Sequence, residues 1–317
     1  RMEKLIEDAP YDRYDTSGLY ANVQLPIYYG RLLRDNPQIT GKQRYIDFLN
    51  FAYRKMMKTL LTTPSQYIND YYFYSITLVC ASYYETQGVE SYFDVTSKLM
   101  ARLKGSSFIF SMRIGEILTL FVKAILQTEP AFFDELPFLD DKETKEEKNK
   151  KILSYAQQCA SYYDFGLIPM NILRTLNTRS LFDREDRIFT LHTDIGYQYL
   201  KERPSTKHFA DIALGHHSYY DQSGGYPEEY IRIQSPYRKM VDLMAVVSYL
   251  SENLQEDPNS VIEEIRKGSR TLFSPAIVSF LEEKSFVSAI KEILTGERKQ
   301  YYRKLYDALH TEEKTNS

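Results

Sequence analysis

Residues 109–127 read IFSMRIGEILTLFVKAILQ. Apolar residues return at three- and four-residue intervals, the period of a helix with one buried face. Its most apolar part, Ile114 to Leu126, contains Glu116 and Lys123 and is too short to span a bilayer. It ends before Pro130, a residue that cannot continue a helix. The same pattern extends towards the N-terminus. Ile46 to Leu61 (IDFLNFAYRKMMKTLL) shows it, Tyr67 to Tyr84 continues it, and Gly88 breaks it. Tyr92 to Leu103 resumes it, with Gly105 placed as a C-cap. No two alternating runs are joined by Asn-Gly or Asp-Gly, so no hairpin-rich sheet is expected. The chain is predicted to be all-α.

The 317 residues suffice for two domains of ordinary size. Gly105-Ser106-Ser107 separates two helical blocks and sets the expected boundary. A smaller helical domain over 1–105, for sensing or dimerisation, would precede a larger one over 106–317. Lys and Arg number 40 against 43 Asp and Glu, a formal charge of −3, which speaks against a nucleic-acid polymer as partner. With 13 Gly and 12 Pro, collagen-like, low-complexity and turn-dense all-β chains are excluded. Cys80 and Cys159 are too few for a disulfide scaffold or a thiolate zinc site, and fit a reducing, cytoplasmic setting. Cys159 lies in a helical stretch and reads as core rather than nucleophile. The chain opens at Arg1 without an initiator methionine, as a fragment would, and an upstream sensor, receiver or membrane segment is then one expectation for what precedes it. No membrane span is expected within it. Asp140 to Lys151 (DDKETKEEKNKK) mixes its charges at helical spacing, as a solvated loop leading into a helix does.

Tyrosine reaches 28 while tryptophan is absent. Tyr71-Tyr72-Phe73-Tyr74 and Tyr83-Tyr84 read as core-edge residues whose hydroxyls reach water. Tyr162-Tyr163 and Tyr219-Tyr220 lie near histidines and are better candidates for ligand contact. Of the five histidines, His192, His216 and His217 fall within twenty-six residues of one another, whereas His208 and His310 lie outside every motif and read as surface residues. Imidazole nitrogens with the Asp164 carboxylate suit zinc, iron or manganese. The same residue types equally form hydrogen-bonded core or surface positions. Adjacent histidines cannot share one face of a regular helix, so His216 and His217 bind different partners or sit at a helix end. The Gly224-Gly225-Tyr226-Pro227 turn beyond them is a loop suited to close over a ligand.

Ala213 to Pro227 (ALGHHSYYDQSGGYP) resembles the HD-GYP family, whose members carry HHExxDGxGYP; this chain has one more residue before its Gly-Tyr-Pro triplet. Further landmarks follow in order. Phe110-Ser111-Met112-Arg113-Ile114 stands at HSxRV, and Tyr163-Asp164-Phe165-Gly166-Leu167 at HDIGK, continued by Ile168-Pro169 and Ile172-Leu173. His192 to Gly196 stands at HPEIG. Ser235 to Ser251 (SPYRKMVDLMAVVSYLS) follows SPxxRIVxLADVYDALTS, and Gly268 to Phe280 (GSRTLFSPAIVSF) follows GxxFDPxxVxxF. The resemblance spans roughly residues 106–290.

The resemblance implies a helical bundle around two or three ions, usually iron or manganese, that hydrolyses cyclic di-GMP in bacterial signalling. There the metals generate hydroxide and neutralise charge on the attacked phosphate. Several family ligand positions are replaced: Tyr163 stands for the histidine of the HD pair, Phe110 for the N-terminal histidine, Ser106 for a carboxylate one turn earlier, and Ala245 for an aspartate. Leu167 replaces the family lysine and Ser248 a second aspartate; Asp242 lies one turn before Ala245. Asp164, His192, His216 and His217 survive, enough for one divalent metal (Fe, Mn or Zn) or for none. Two replacements are aromatic, so the vacated volume is expected to be filled. The expectation is a degenerate member, catalytically impaired, that works by ligand or partner binding. Cyclic di-GMP or a related nucleotide would then meet Tyr220, Asp221, Gly225, Tyr226 and Pro227; a signalling protein and a second copy of the chain are the other expected partners. Glu252 to Asn259 (ENLQEDPN), acidic where the family carries arginine and proline, weakens the nucleotide version. The alternative is an active phosphodiesterase with an altered, mononuclear centre.

Overall fold

The computed structural model describes residues 105–167, 183–201, 206–228, 230–253, 257–296 and 299–310, with isolated positions between 4 and 51; at 105–107, 183–186 and 308–310 only the backbone is described. The helices expected over 67–84 and 92–103, the tyrosines at 71–74 and 83–84, Cys80, Ile168-Pro169, Ile172-Leu173 and the side chains of Ser106 and His310 lie outside the described residues. The chain divides into two compact units. One comprises Arg1–Phe108, Ile168–Arg179 and Leu305–Ser317; the other comprises Ile109–Leu167 and Ser180–Lys304. In the first, Phe48 is buried with Tyr29 set edge-on to it at 4.7 Å.

Among the described residues the chain is mostly helical, as its periodicity predicts. Helix α1 (Gly105–Thr128) buries Ile114, Ile117, Leu118, Phe121, Val122 and Ile125 along one face. Each such side chain contributes about 1.5–3 kcal/mol by leaving water. Gly105, expected to close a helix, is instead the first residue of this one; glycine is tolerated at a helix start. Helix α2 (Lys145–Tyr162) begins inside the charged run and carries Lys145 to Lys151 in its first two turns. Thr144 caps it: its hydroxyl accepts from the Glu147 N–H, and the Glu147 carboxylate accepts from the Thr144 N–H. Its inner face carries Ile152, Tyr155, Ala156, Cys159 and Tyr162. Cys159 is fully buried, and burial pushes its thiol up, so it is core as expected.

Helices α3 (Asp183–Thr190) and α4 (His192–Lys201) meet at Leu191, and a 3-10 turn (Lys207–Phe209) leads into α5 (Ala210–Gly215). Helix α4 packs chiefly on α5, and α5 packs on α6 (Arg238–Glu252). Helix α6 is the centre of this unit: Met240, Leu243, Met244, Val246 and Val247 are wholly buried. Helices α7 (Pro258–Lys267) and α8 (Pro275–Val278) pack on it, each with proline in its first turn, where the missing N–H costs nothing. Helices α9 (Lys284–Thr295) and α10 (Lys299–His310) complete the described chain.

One feature is added and one expectation is corrected. The segment after the histidines is a short antiparallel hairpin, β1 (His217–Ser218) with β2 (Gly225–Tyr226), His217 opposite Tyr226. Strands of two residues leave no alternating pattern to read. His208, expected at the surface, is half-buried; its Nδ1 lies 2.6 Å from the Tyr237 hydroxyl, and its carbonyl accepts from Tyr155.

Candidate metal centre

Four side chains from three stretches of chain converge. Asp164 lies in the turn after α2, His192 is the first residue of α4, His216 follows the last residue of α5, and His217 opens β1. Their ligand atoms all lie within 4.8 Å of one another. The adjacent histidines reach one cluster because the helix ends between them, one of the two arrangements the sequence allowed.

Two glycines make the convergence sterically feasible. At Gly166 a Cβ would stand 1.8 Å from the His192 carbonyl oxygen and 2.7 Å from the Gly196 nitrogen. Only glycine lets the Asp164 turn approach the start of α4 so closely. At Gly225 φ is +85°, and a Cβ would stand 2.2 Å from the His217 carbonyl oxygen.

Hydrogen bonding fixes the state of both buried imidazoles. The His192 Nδ1 lies 2.8 Å from the Phe189 carbonyl oxygen. The His216 Nδ1 lies 3.1 Å from the Ile212 carbonyl oxygen and 3.0 Å from that of Ala213. A carbonyl can only accept, so each Nδ1 carries a hydrogen and each ring turns its Nε2 to the cluster; in the neutral form that nitrogen offers a lone pair. Those two nitrogens face each other at 3.4 Å. The Asp164 Oδ1 stands 3.4 Å from the His216 Nε2 and 3.6 Å from the His192 Nε2.

Three acceptors thus face one point, with His192 and His216 about 1 % exposed. One proton on a ring would join one pair and leave the third acceptor unserved; a metal ion serves all of them. Neighbouring ligands of a tetrahedral ion with bonds of 2.0–2.1 Å lie about 3.3–3.4 Å apart, so the three atoms of Asp164, His192 and His216 at 3.4–3.6 Å fit such an ion. Burial, then the neighbouring His216, push His217 down to about 2, against the Asp164 charge, so its ring too is a neutral donor. Burial raises Asp164, but a hydrogen bond from the His216 side chain, and after it the charge that His216, His192 and His217 carry when protonated, outweighs it and holds the carboxyl below its usual range.

The positions that the resemblance reads as replaced fall differently. Tyr163 is 3 % exposed and sets its ring edge-on to His216 at 5.2 Å; its hydroxyl makes no hydrogen bond. Phe110 is half-buried on α1. The Tyr163 ring is enclosed, whereas Ala245 and the small Ser248 leave space beside them. They border a pocket of about 350 Å³ that also meets His216, His217, Tyr226, Tyr249 and Glu252. Ala245, Ser248 and Glu252 share one face of α6 at three- and four-residue spacing. That face is readable as sequence, yet Tyr249 and Glu252 were not singled out from it. Asp242 is not in the cluster: it is buried and holds the Arg232 guanidinium, whose Nε lies 2.6 Å from its Oδ1.

Of the five expected ligand contacts, Gly225 and Tyr226 line the pocket. Tyr226 stacks on His217 at 4.5 Å, and Pro227 follows it through a cis peptide bond. Tyr220 lies under the Arg232 guanidinium at 4.3 Å. Asp221 is exposed, and its carboxylate accepts from the Ser223 N–H at 2.9 Å. The backbone N–H groups of Tyr220 and Asp221 donate to Leu272 and Thr271, tying the hairpin to the segment after α7. No helix among the described residues is long and apolar enough to cross a membrane. No protein-family model matches this chain, and no curated protein does.

Proposed function

We propose that this chain is a degenerate relative of the HD-GYP phosphodiesterases of bacterial signalling. In this reading it holds a single divalent metal at Asp164, His192, His216 and His217 and works by binding a ligand or partner rather than by turning over cyclic di-GMP. The observation that carries the reading is the meeting of two bare imidazole nitrogens and a carboxylate oxygen at 3.4–3.6 Å. Such a set calls for one cation. A second cation has little to hold it, because Phe110 and Ala245 offer no donor atom and the Tyr163 hydroxyl is buried, with burial and then the Asp164 charge keeping it protonated. Leu167 supplies no positive charge for a phosphate.

When bound, such an ion supplies Lewis acidity and lowers the pKa of a coordinated water. The residues of the chain do the rest: the Phe189, Ile212 and Ala213 carbonyls hold the two rings in the binding tautomer, and Gly166 brings Asp164 against them.

One observation favours the alternative, an active mononuclear phosphodiesterase. His216 and His217 border both the cluster and the pocket, so a ligand there would lie beside the ion. The test is metal analysis of the purified chain, with turnover assays on cyclic di-GMP and a generic phosphodiester. One equivalent of metal without turnover is the expected result. Hydrolysis that disappears in His216→Ala would refute this reading: with one equivalent of metal it would establish the mononuclear alternative, and with more than one it would refute both.

A further inference from the structure

Tyr163 has a place at the cluster that packing alone does not explain. The residue is 3 % exposed, and its ring stands edge-on to His216 at 5.2 Å. Its hydroxyl is buried and makes no hydrogen bond. A buried hydroxyl without an acceptor costs stability, and such a group in a folded chain calls for a reason. Burial, then the charges of Asp164 and Glu252, and last the Asp164 side chain as an acceptor keep the phenol protonated, so its oxygen has a hydrogen to give. Glu252 acts on it by charge alone, whereas Asp164 acts by charge and as an acceptor. The Asp164 carboxylate is thus within reach, but the bond to it is not formed.

Asp164 presents Oδ1 to both imidazoles, 3.4 Å from the His216 Nε2 and 3.6 Å from the His192 Nε2. A carboxylate has about four acceptor sites on its two oxygens, so Oδ2 keeps capacity of its own. Carboxylates that hold a metal are themselves hydrogen-bonded, which orients them and fixes the oxygen that binds. Tyr163 is a donor without an acceptor, set beside a ligand with acceptor sites to spare. We infer that Tyr163 is a positioning residue of the metal centre: with Oδ1 committed to the ion, the Tyr163 hydroxyl closes on Oδ2 and holds Asp164 as a ligand through one oxygen. Tyr163 then stands where the resemblance expects a ligand, and it acts through the ligand next to it. The inference rests on the reading of the cluster as a metal site, and it names what a residue outside the ligand set does there.

The test is the zinc affinity of the full chain, measured by competition with a chromophoric chelator, for the wild type, Tyr163→Phe and Tyr230→Phe. Tyr230 is the control: its hydroxyl too is buried without a hydrogen bond, but the charges near it are Asp211, Asp242 and Arg232 rather than Asp164. Tyr163→Phe binds zinc about tenfold more weakly, or worse, a difference of about 1.4 kcal/mol or more. Its metal-free thermal midpoint is no lower than that of the wild type, since the metal-free chain loses only an unpartnered hydroxyl. Tyr230→Phe binds zinc as the wild type does. Zinc raises no tyrosinate absorption in the wild type, because the hydroxyl keeps its hydrogen. Equal zinc affinity in the wild type and Tyr163→Phe overturns the inference. So does a lower metal-free midpoint in Tyr163→Phe, which makes its role packing, or an equal loss of affinity in Tyr230→Phe. A tyrosinate band overturns it as well, by making the phenol oxygen a ligand. A wild-type chain that takes up no zinc refutes the metal reading and this inference with it; every other outcome leaves the metal reading standing.

Discussion

His192 and His216 point their Nε2 atoms at each other across 3.4 Å, after each has committed its Nδ1 hydrogen to a carbonyl three or four residues back in its own chain. Two lone pairs at that distance repel unless a positive charge lies between them. The Asp164 oxygen completes the triangle without supplying a hydrogen.

Removing one corner should release the ion. His216→Ala is expected to lower metal affinity by more than the roughly 10–100-fold typical of losing a ligand's own hydrogen-bond partner. Elemental analysis after dialysis reads this directly, and metal retained at the wild-type level would refute the assignment. His208→Ala, outside the cluster, is expected to leave metal content unchanged.

Acid should destabilise the metal-free protein. The folded state holds His217 at about 2, far below the ordinary value near 6.5 of an unfolded chain. The unfolded state therefore takes up a proton that the folded state refuses. The stabilisation is complete above about pH 6.5 and is lost at about 1.4 kcal/mol per pH unit below it. Asp164, held low, acts in the same direction further down: its contribution is present above the ordinary carboxylate range and disappears as pH falls through its folded value. In chelator, the thermal midpoint is expected to fall between about pH 7 and pH 5, and less steeply in His217→Gln. A flat wild-type profile would contradict the burial of that ring as a neutral donor.

Gly166→Ala should be among the costliest small substitutions in the chain. The added carbon would sit 1.8 Å from the His192 carbonyl oxygen, and backbone cannot rotate out of the way as a side chain can. A loss of more than about 3 kcal/mol in denaturant unfolding is expected, with loss of metal. Gly196→Ala meets Ala213 Cβ at 3.1 Å and is expected to cost distinctly less. Equal costs would mean that the close approach of the Asp164 turn to α4 is wrong.

Arg232 and Asp242 form a partly buried pair, with Arg232 also lying over Tyr220. Burial raises the Asp242 carboxyl, and Arg232 works against it. Arg232→Met strands that charge and is expected to cost about 3–5 kcal/mol. Arg232→Met with Asp242→Leu removes both charges and is expected to recover most of the loss. If the double variant is no more stable than the single one, the pair is not what anchors the segment between the hairpin and α6.

The helical character was legible because one-sided burial imposes its period on the chain: residues 109–127 show their inner face as a row of isoleucine, leucine and phenylalanine. The hairpin was not legible, since two-residue strands carry no alternation, and Gly225 is needed there for its positive φ rather than for any pattern. His208 was misjudged for a related reason: nothing near it in sequence announces Tyr237, 29 residues away.

The residue types alone fixed the chemistry on offer: three imidazoles, one carboxylate, and small or aromatic side chains at the other positions of the resemblance. Even the tautomers of His192 and His216 are local, because the carbonyls that set them lie three or four residues upstream in the same turn. Tertiary packing decided what those atoms face. His192 and His216 are 24 residues apart, and only the seating of α4 on α5, with Gly166 against the start of α4, brings two bare nitrogens and a carboxylate to one point. The same packing left Ala245 and Ser248 beside an open volume while Tyr163 is enclosed, since whether a side chain fills space depends on its neighbours across the fold.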